Sequence, residues 1–497
     1  MKLALLSSYL SQAYVSLIGI VLMPIYLRYL GAEGVGLVGL HVMTVALLPL
    51  LDFGLSSVLS RDMSRFRAGA LSVDVAWARL SSLMRLFALL AAALVLVVVM
   101  FRHVLVADWL RLDMLAPEDA EYCLMTIAIA AALRWLGGVY RAVLVGLEEQ
   151  ARVNGLALVL ATIRHVGVVP VLAWYDPSAT TFFSYQVLTG LLELLVWRHA
   201  VGMALPSPRD RAGFRWSTGL RDAWSMAGGL TFLTVSWVLF NQADRLILSR
   251  MLSLPEFGCF SLVVSLAGGI LILMPPLTQV VQPRLTALFA EGRLDLVADL
   301  YRAATQGAAA LFATAGGWLA MFAEPILFAW LGDAAIAREG APILFWYGLA
   351  NALAGLLSLP FMLQFASGDL RLHVLGNTVV VLVGLPLLVI ASIDYGAVGA
   401  GTVLCMLRLS FLLLWVPRIH RQFLPSGGRR WLTLDVAPIV IAVLGSLTIL
   451  AFLLPTESSR LASGVSVIAA GGAALVIGLL VGSMTRKTLQ TWWVKVR

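Results

Sequence analysis

Two arginines, Arg134 and Arg164, each lie near the middle of a long apolar segment of this 497-residue chain. A guanidinium stays protonated in protein sites and presents a planar fork of N–H donors that matches the oxygens of a phosphate or carboxylate. A charge at mid-membrane depth disfavours insertion by roughly 2.5–3.5 kcal/mol on insertion scales. Two such residues therefore point to oxyanion binding along a polar path, with internal ion pairing as the plainer reading. Several polar neighbours could extend that path. Arg141 lies two helical turns from Arg134, His165 follows Arg164, Asn241, Gln242, Asp244 and Arg245 cluster together, and Arg408 is a third mid-span cation. Arg28, Asp52, Arg61 and Glu193 are candidates for gating or coupling, Glu193 being the group that would carry a proton if one is coupled. His41 and His165 also suit simple helix packing, and Asp244 with Arg245 suits structural ion pairing equally well.

The elements that must hold these residues are membrane helices. Sixty per cent of the residues are hydrophobic, only 12% are charged, and the mean hydropathy is +0.92, more than a soluble fold can hide in its cores. About 20 apolar residues cross a hydrocarbon layer of roughly 30 Å as a helix. Backbone groups in lipid must be satisfied within each segment, so helices follow. Fourteen spans are expected, at about 8–29, 36–58, 80–102, 121–145, 153–174, 179–200, 224–249, 257–280, 300–323, 341–365, 372–392, 397–417, 434–454 and 463–483.

Cytoplasmic loops of membrane proteins are enriched in Lys and Arg. Placing both termini in the cytoplasm puts most of the 35 basic residues inside, and leaves Asp108, Asp113, Glu118, Asp119 and Glu121 in an outer loop. The net charge of +8 is then topological information, and no basic domain interleaved with aromatics suggests nucleic acid. Cys123, Cys259 and Cys405 are isolated, without metal-ligand spacing, and read as packing residues. The first apolar segment lacks a cleavage site and reads as a retained helix.

The longest internal polar stretch, 206–222, divides the chain. It separates an N-terminal lobe, 1–205, from a C-terminal lobe, 223–420, with 421–497 holding two further helices and a cytoplasmic tail. Phe214 and Trp216 beside Arg211, Arg215 and Arg221 suit either an interfacial segment or an ordinary basic linker. Arg28-x-Leu30 with Gly36, and Arg250-x-Leu252 with Gly258, repeat one pattern at equivalent topological places. Six helices separate the equivalents, which predicts two six-helix lobes related by a pseudo-two-fold along the membrane normal, with a binding site between them. Pro49, Pro275, Pro276, Pro283, Pro360 and Pro386 mark bends or ends of helices. Gly228-Gly229, Gly268-Gly269 and Gly316-Gly317 allow close helix contact.

Several local patterns resemble the Wzx-type polysaccharide (O-antigen) flippases of the multidrug, oligosaccharidyl-lipid and polysaccharide exporter superfamily. These are Pro24 through Leu37 at the joint of the first two spans, Leu51-Asp52-Phe53-Gly54-Leu55 with Arg61, Asn241 through Leu248 followed by Glu256-Phe257-Gly258, Gln282-Pro283-Arg284-Leu285, and Tyr395 through Ala400. The resemblance implies a transporter, without cofactor, that moves an undecaprenyl-pyrophosphate-linked oligosaccharide from the cytoplasmic to the periplasmic leaflet of a bacterial inner membrane. It further implies a cationic cavity, alternating access, coupling to a proton or other ion gradient, a monomer, and work alongside a polysaccharide polymerase and chain-length regulator toward products such as lipopolysaccharide. The first span carries only Arg28, at its outer end, which departs from the several arginines of the lipid-linked peptidoglycan precursor flippases. Spans 13 and 14 fall outside the matched patterns. No Walker-type loop and no HExxH spacing is present, so an enzyme is not expected. A drug or metabolite antiporter of the same superfamily, or a membrane polysaccharide polymerase or ligase, remains as an alternative.

Overall fold

The computed structural model describes residues 2–208, 238, 241–424, 431–453 and 460–483. Most of the 206–222 stretch, the first part of the seventh expected span with Gly228-Gly229, and the tail from 484 lie outside the described residues. The chain is an all-α membrane protein. Ten described helical stretches are long and apolar enough to cross a membrane, or eleven when the bent pair Leu294–Met321 and Ala323–Leu331, inclined at 79°, counts as one.

Two of those stretches are too long for a single crossing. Ser11–Asp52 has 42 residues and Arg371–Phe423 has 53, whereas about 20 suffice. Each contains a break at a glycine. Gly31 (φ 69°, ψ −178°) interrupts α1, Lys2–Leu47, and Gly396 (φ 57°, ψ −139°) interrupts the helix Arg371–Ser410. Positive φ with extended ψ is essentially reserved for glycine. Each helix thus kinks at the joint expected between spans 1 and 2 or between spans 11 and 12. The two breaks open one sequence pattern, Gly-Ala-x-Gly-x-Gly, at 31–36 and again at 396–401. The second glycine has the same job in both: a Cβ on Gly34 would collide with the Cβ of Leu30, and one on Gly399 with the Cβ of Tyr395, each four residues back across the break.

Two compact units make up the chain, Met1–Ser261 and Leu262–Arg497. In the first, α1 is followed by a single turn, Pro49–Asp52, and then α2 (Leu55–Arg67), α3 (Val73–Val104), α4 (Pro117–Gly146), α5 (Gln150–His165), α6 (Val168–Trp174) and α7 (Ala179–Ala204). A dry core of Leu59, Met63, Leu80, Phe87, Val143 and Trp197 locks α2, α3, α4 and α7 together. Helical residues 241–251 and the start of α8, Leu254–Gly268, complete the unit. Here the repeat-matched glycines meet: a Cβ on Gly258 would strike the carbonyl of Ala32 and come within 3.1 Å of the Gly36 nitrogen, while one on Gly36 would strike the carbonyl of Leu254. The loop after α3 covers this contact. Its Arg111 carbonyl accepts from Leu254 N–H at 2.8 Å, and Glu33 accepts from the backbone of Asp113 at 2.7 Å.

In the second unit, α9 (Met274–Ala290), α10 (Leu294–Met321), α11 (Ala323–Leu331), α12 (Ala334–Ser367), α13 (Arg371–Ser410), α14 (Val416–Phe423), α15 (Ala437–Leu453) and α16 (Arg460–Val481) follow. An ion pair between the partly exposed Arg302 and the buried Asp435 ties α10 to the segment leading into α15. Arg302 donates to both oxygens of Asp435 at 3.0 and 3.1 Å, and Gln306 donates to the same carboxylate at 2.7 Å. Beside it Tyr301 bonds His420 at 2.8 Å, and the Trp431 indole donates to Thr305 at 3.0 Å.

Candidate functional site

The site grows from a defect in the fifth span. Pro170 has no N–H, so the helix cannot run regularly through it and breaks between His165 and Val168. The N–H of Val169, which would otherwise serve the carbonyl of His165, bonds Val166 instead at 3.0 Å. The stranded His165 carbonyl is taken up by the Tyr26 hydroxyl at 2.8 Å. Two residues before His165, the Ile163 carbonyl, which already accepts from Gly167 N–H at 3.0 Å, also accepts from Tyr185 at 2.7 Å. Arg164 and His165 therefore sit on the last turn before a break that tyrosines from α1 and α7 bind.

A second approach brings up α4 and α7. Gly190 lies between Gln186 and Glu193 on one face of α7, and a Cβ there would sit in contact with the Ala130 carbonyl and Leu133 at 3.4 Å. On the facing helix, Gly137 meets the Trp197 ring in the same way at 3.3 Å. Small residues let the backbones close up, and the guanidinium of Arg134 then reaches across to α7.

The result is one buried polar cluster inside the first unit. Glu193, 8% exposed, accepts from Arg164 at 3.0 Å, and the same carboxylate oxygen lies 3.9 Å from Nε of Arg134, an ion pair without a hydrogen bond. Arg134 donates one Nη to Gln186 and the other to His41. Arg164 Nε donates to Nε2 of His165 at 3.2 Å. An arginine has only donors, so both imidazoles must accept through Nε2, and both are neutral with the proton on Nδ1. For His165 that proton faces Tyr26 Oη at 3.3 Å, and the ring packs on Gly19. His41 Nδ1, like Nε of Arg134, is buried without a hydrogen-bond partner among the described residues. Among the described residues, two guanidiniums against one carboxylate leave the cluster with an uncompensated positive charge and unused donors.

Among the residues singled out from sequence, Arg134, Arg164, His165 and Glu193 are thus brought together. His41, which sequence suggested as a packing residue, is an acceptor in the same cluster. Arg141, on the same helix as Arg134, is exposed, as are Arg28 and Arg61. Asp52 accepts from the backbone and hydroxyl of Ser56 at 3.2 and 2.8 Å, within its own turn. Asp244 is buried, and Asn241, Gln242 and Arg245 are partly so. The hydrogen bonds and ion pairs that Arg134 and Arg164 make with described residues do not include these four. Arg408 belongs to the second unit, where it donates to the buried Asn351 at 3.0 Å. Cys123, Cys259 and Cys405 are buried thiols. Among the described residues no group of three His, Cys, Asp or Glu side chains is placed to hold a metal ion. Sequence reasoning missed Gln186 and Tyr26. Gln186 carries a usable signal, lying two helical turns before Glu193 on the same face.

Solved structures share this fold. A lipid II flippase, MurJ, in an inward closed conformation superposes with a TM-score of 0.63 over 97% of this chain and 98% of that one, at 12% identity. An inward-facing multidrug resistance transporter of the MATE family, in the MOP superfamily, gives 0.61 over 85% and 96%, at 14% identity. The MATE multidrug transporter DinF-BH gives 0.61 over 84% and 94%, at 13% identity. No curated protein matches the sequence. The chain therefore has the fold of the MOP-superfamily transporters and is a multi-pass membrane protein. Residues 4–289, more than half of the sequence and the whole of the cluster, match the polysaccharide biosynthesis protein family, and the chain belongs to that family.

Proposed function

We propose that this protein is a flippase for an undecaprenyl-pyrophosphate-linked oligosaccharide, carrying it from the cytoplasmic to the periplasmic leaflet of a bacterial cytoplasmic membrane by alternating access through an arginine-lined path. The observation that carries the reading is the excess positive charge of the Arg134–Glu193–Arg164 cluster. A pyrophosphate headgroup crossing hydrocarbon needs fixed cations, while its polyprenyl tail can stay in lipid. Guanidiniums meet phosphate oxygens with parallel hydrogen bonds, and such a ligand would supply acceptors that the buried Nε of Arg134 and Nδ1 of His41 lack among the described residues. The sign of the charge also disfavours a cationic drug as cargo. In this reading both termini are cytoplasmic, the monomer is the working unit, an ion gradient drives return of the empty carrier, no cofactor takes part, and a polymerase and chain-length regulator use the product.

The test is complementation of a null strain. Arg134→Ala or Arg164→Ala should abolish surface glycan while leaving protein level intact, and Arg→Lys at each site should show whether charge alone suffices. Full-length glycan from either alanine variant would remove that residue from the site. Normal polymerised glycan in the null strain itself would refute the flippase assignment.

A further inference from the structure

Glu193 stands where an anionic ligand would have to bind. Among the described residues it is the one carboxylate paired with both guanidiniums, through a single oxygen that hydrogen-bonds Arg164 and only approaches Arg134. The remaining donors of the cluster do not depend on it. Arg134 is held by the uncharged acceptors His41 and Gln186, and Arg164 by the uncharged His165. Removing the carboxylate from its place would therefore leave both guanidiniums oriented, by three helices, toward the space it vacates. Two buried N–H groups, Nε of Arg134 and Nδ1 of His41, already lack an acceptor that a singly charged carboxylate on α7 does not supply. A ligand with several oxygens can serve all of these donors at once.

We propose that Glu193 is a displaceable counter-ion: it occupies the Arg134–Arg164 pair when the site is empty and is expelled when a polyanionic headgroup binds, so that the same carboxylate sets affinity by competition. This rests on the reading of the cluster as the headgroup site. It has two consequences. The empty site is stabilised, because two buried guanidiniums are not left facing one another without a partner. Binding also breaks the ion pair between α5 and α7 while the Tyr185–Ile163 bond remains, so occupancy is signalled by loss of the Arg164–Glu193 bond.

The experiment uses the full-length protein in detergent, titrated with inorganic pyrophosphate at fixed ionic strength and followed by calorimetry, with melting temperature as the check on folding. Glu193→Gln keeps an acceptor oxygen and removes the charge. If the carboxylate holds the pair nine times in ten, its removal tightens binding by about tenfold, the reciprocal of the competent fraction. Glu193→Asp retains the charge on a shorter side chain and should fall between Glu193→Gln and the wild type, which keeps the inference testable if the glutamine variant folds poorly. Binding that is unchanged or weaker in both variants, while Arg134→Ala and Arg164→Ala abolish it, would overturn the displaceable counter-ion and leave the headgroup site standing. Binding unaffected by either arginine substitution would overturn the site itself.

Discussion

The two units each hold an arginine–carboxylate cluster, and the two clusters are built to opposite rules. In the second unit, Arg302 and Asp435 match one for one, with both carboxylate oxygens engaged and Gln306 adding a third bond. In the first unit, two arginines share one oxygen of Glu193, and the balance is made up by neutral histidines and a glutamine. A pair matched in charge fastens the segment before α15 to α10 and carries no excess charge toward a ligand. An unbalanced cluster with idle donors is costly to keep unless something uses it.

Several experiments would break or sharpen this contrast. The largest effect is expected from Asp435→Ala, which removes the acceptor shared by Arg302 and Gln306. Arg302 is partly exposed and can turn to water, so the cost is expected at about 3 kcal/mol, the lower end for loss of one partner of a buried pair, measurable as a drop in melting temperature. Replacing both partners, Arg302→Met with Asp435→Leu, should recover most of that loss, since apolar substitutes of similar volume are often neutral. The corresponding double change at Arg164 and Glu193 should preserve folding yet eliminate glycan export, because one of the two ligand-facing cations is gone. If the double variant in the second unit were the one to lose transport with folding intact, the contrast would be reversed. A substitution at Gly31, Gly31→Ala, should cost about 1–3 kcal/mol of backbone strain and reduce export, whereas an alanine at the helical Gly445, which has open space around it, should do little. The smallest effect is expected from Tyr26→Phe. It removes the hydroxyl that serves the His165 carbonyl and should cost about 1 kcal/mol, read as a modest shift in melting temperature.

The helical architecture was legible because membrane insertion enforces it locally. Apolar length gives the spans, and the glycine patterns at 31–36 and 396–401 give kinks that length alone would hide inside one long helix. The cations were legible for the same reason, since Arg134 and Arg164 stand out against their own segments. Their partners were not. Arg134 meets His41 across 93 residues of sequence and Gln186 across 52, and Tyr26 meets His165 across 139. No periodicity within a segment encodes such contacts. The charge bookkeeping was equally hidden, because whether Glu193 neutralises one arginine, both or neither depends on which faces of α4, α5 and α7 come together. Pro170 was a signal available in the sequence: a proline five residues after His165 must free a carbonyl near the two polar residues, and a freed carbonyl in a membrane must find a donor.

The break at Gly31 also fixes how the two arms of α1 share any movement. Tyr26 lies five residues before the pivot and His41 ten residues after it, so at 1.5 Å per residue the lever arms are about 7.5 and 15 Å. A rotation of about 10° at Gly31 would carry Tyr26 by roughly 1.3 Å and His41 by roughly 2.6 Å on those arms. Taken along the bond, either displacement passes hydrogen-bond reach, the second by twice the margin. Flexing at this glycine would therefore act on both sides of the cluster through one helix, drawing His41 from Arg134, which keeps its bond to Gln186, and Tyr26 from the His165 carbonyl.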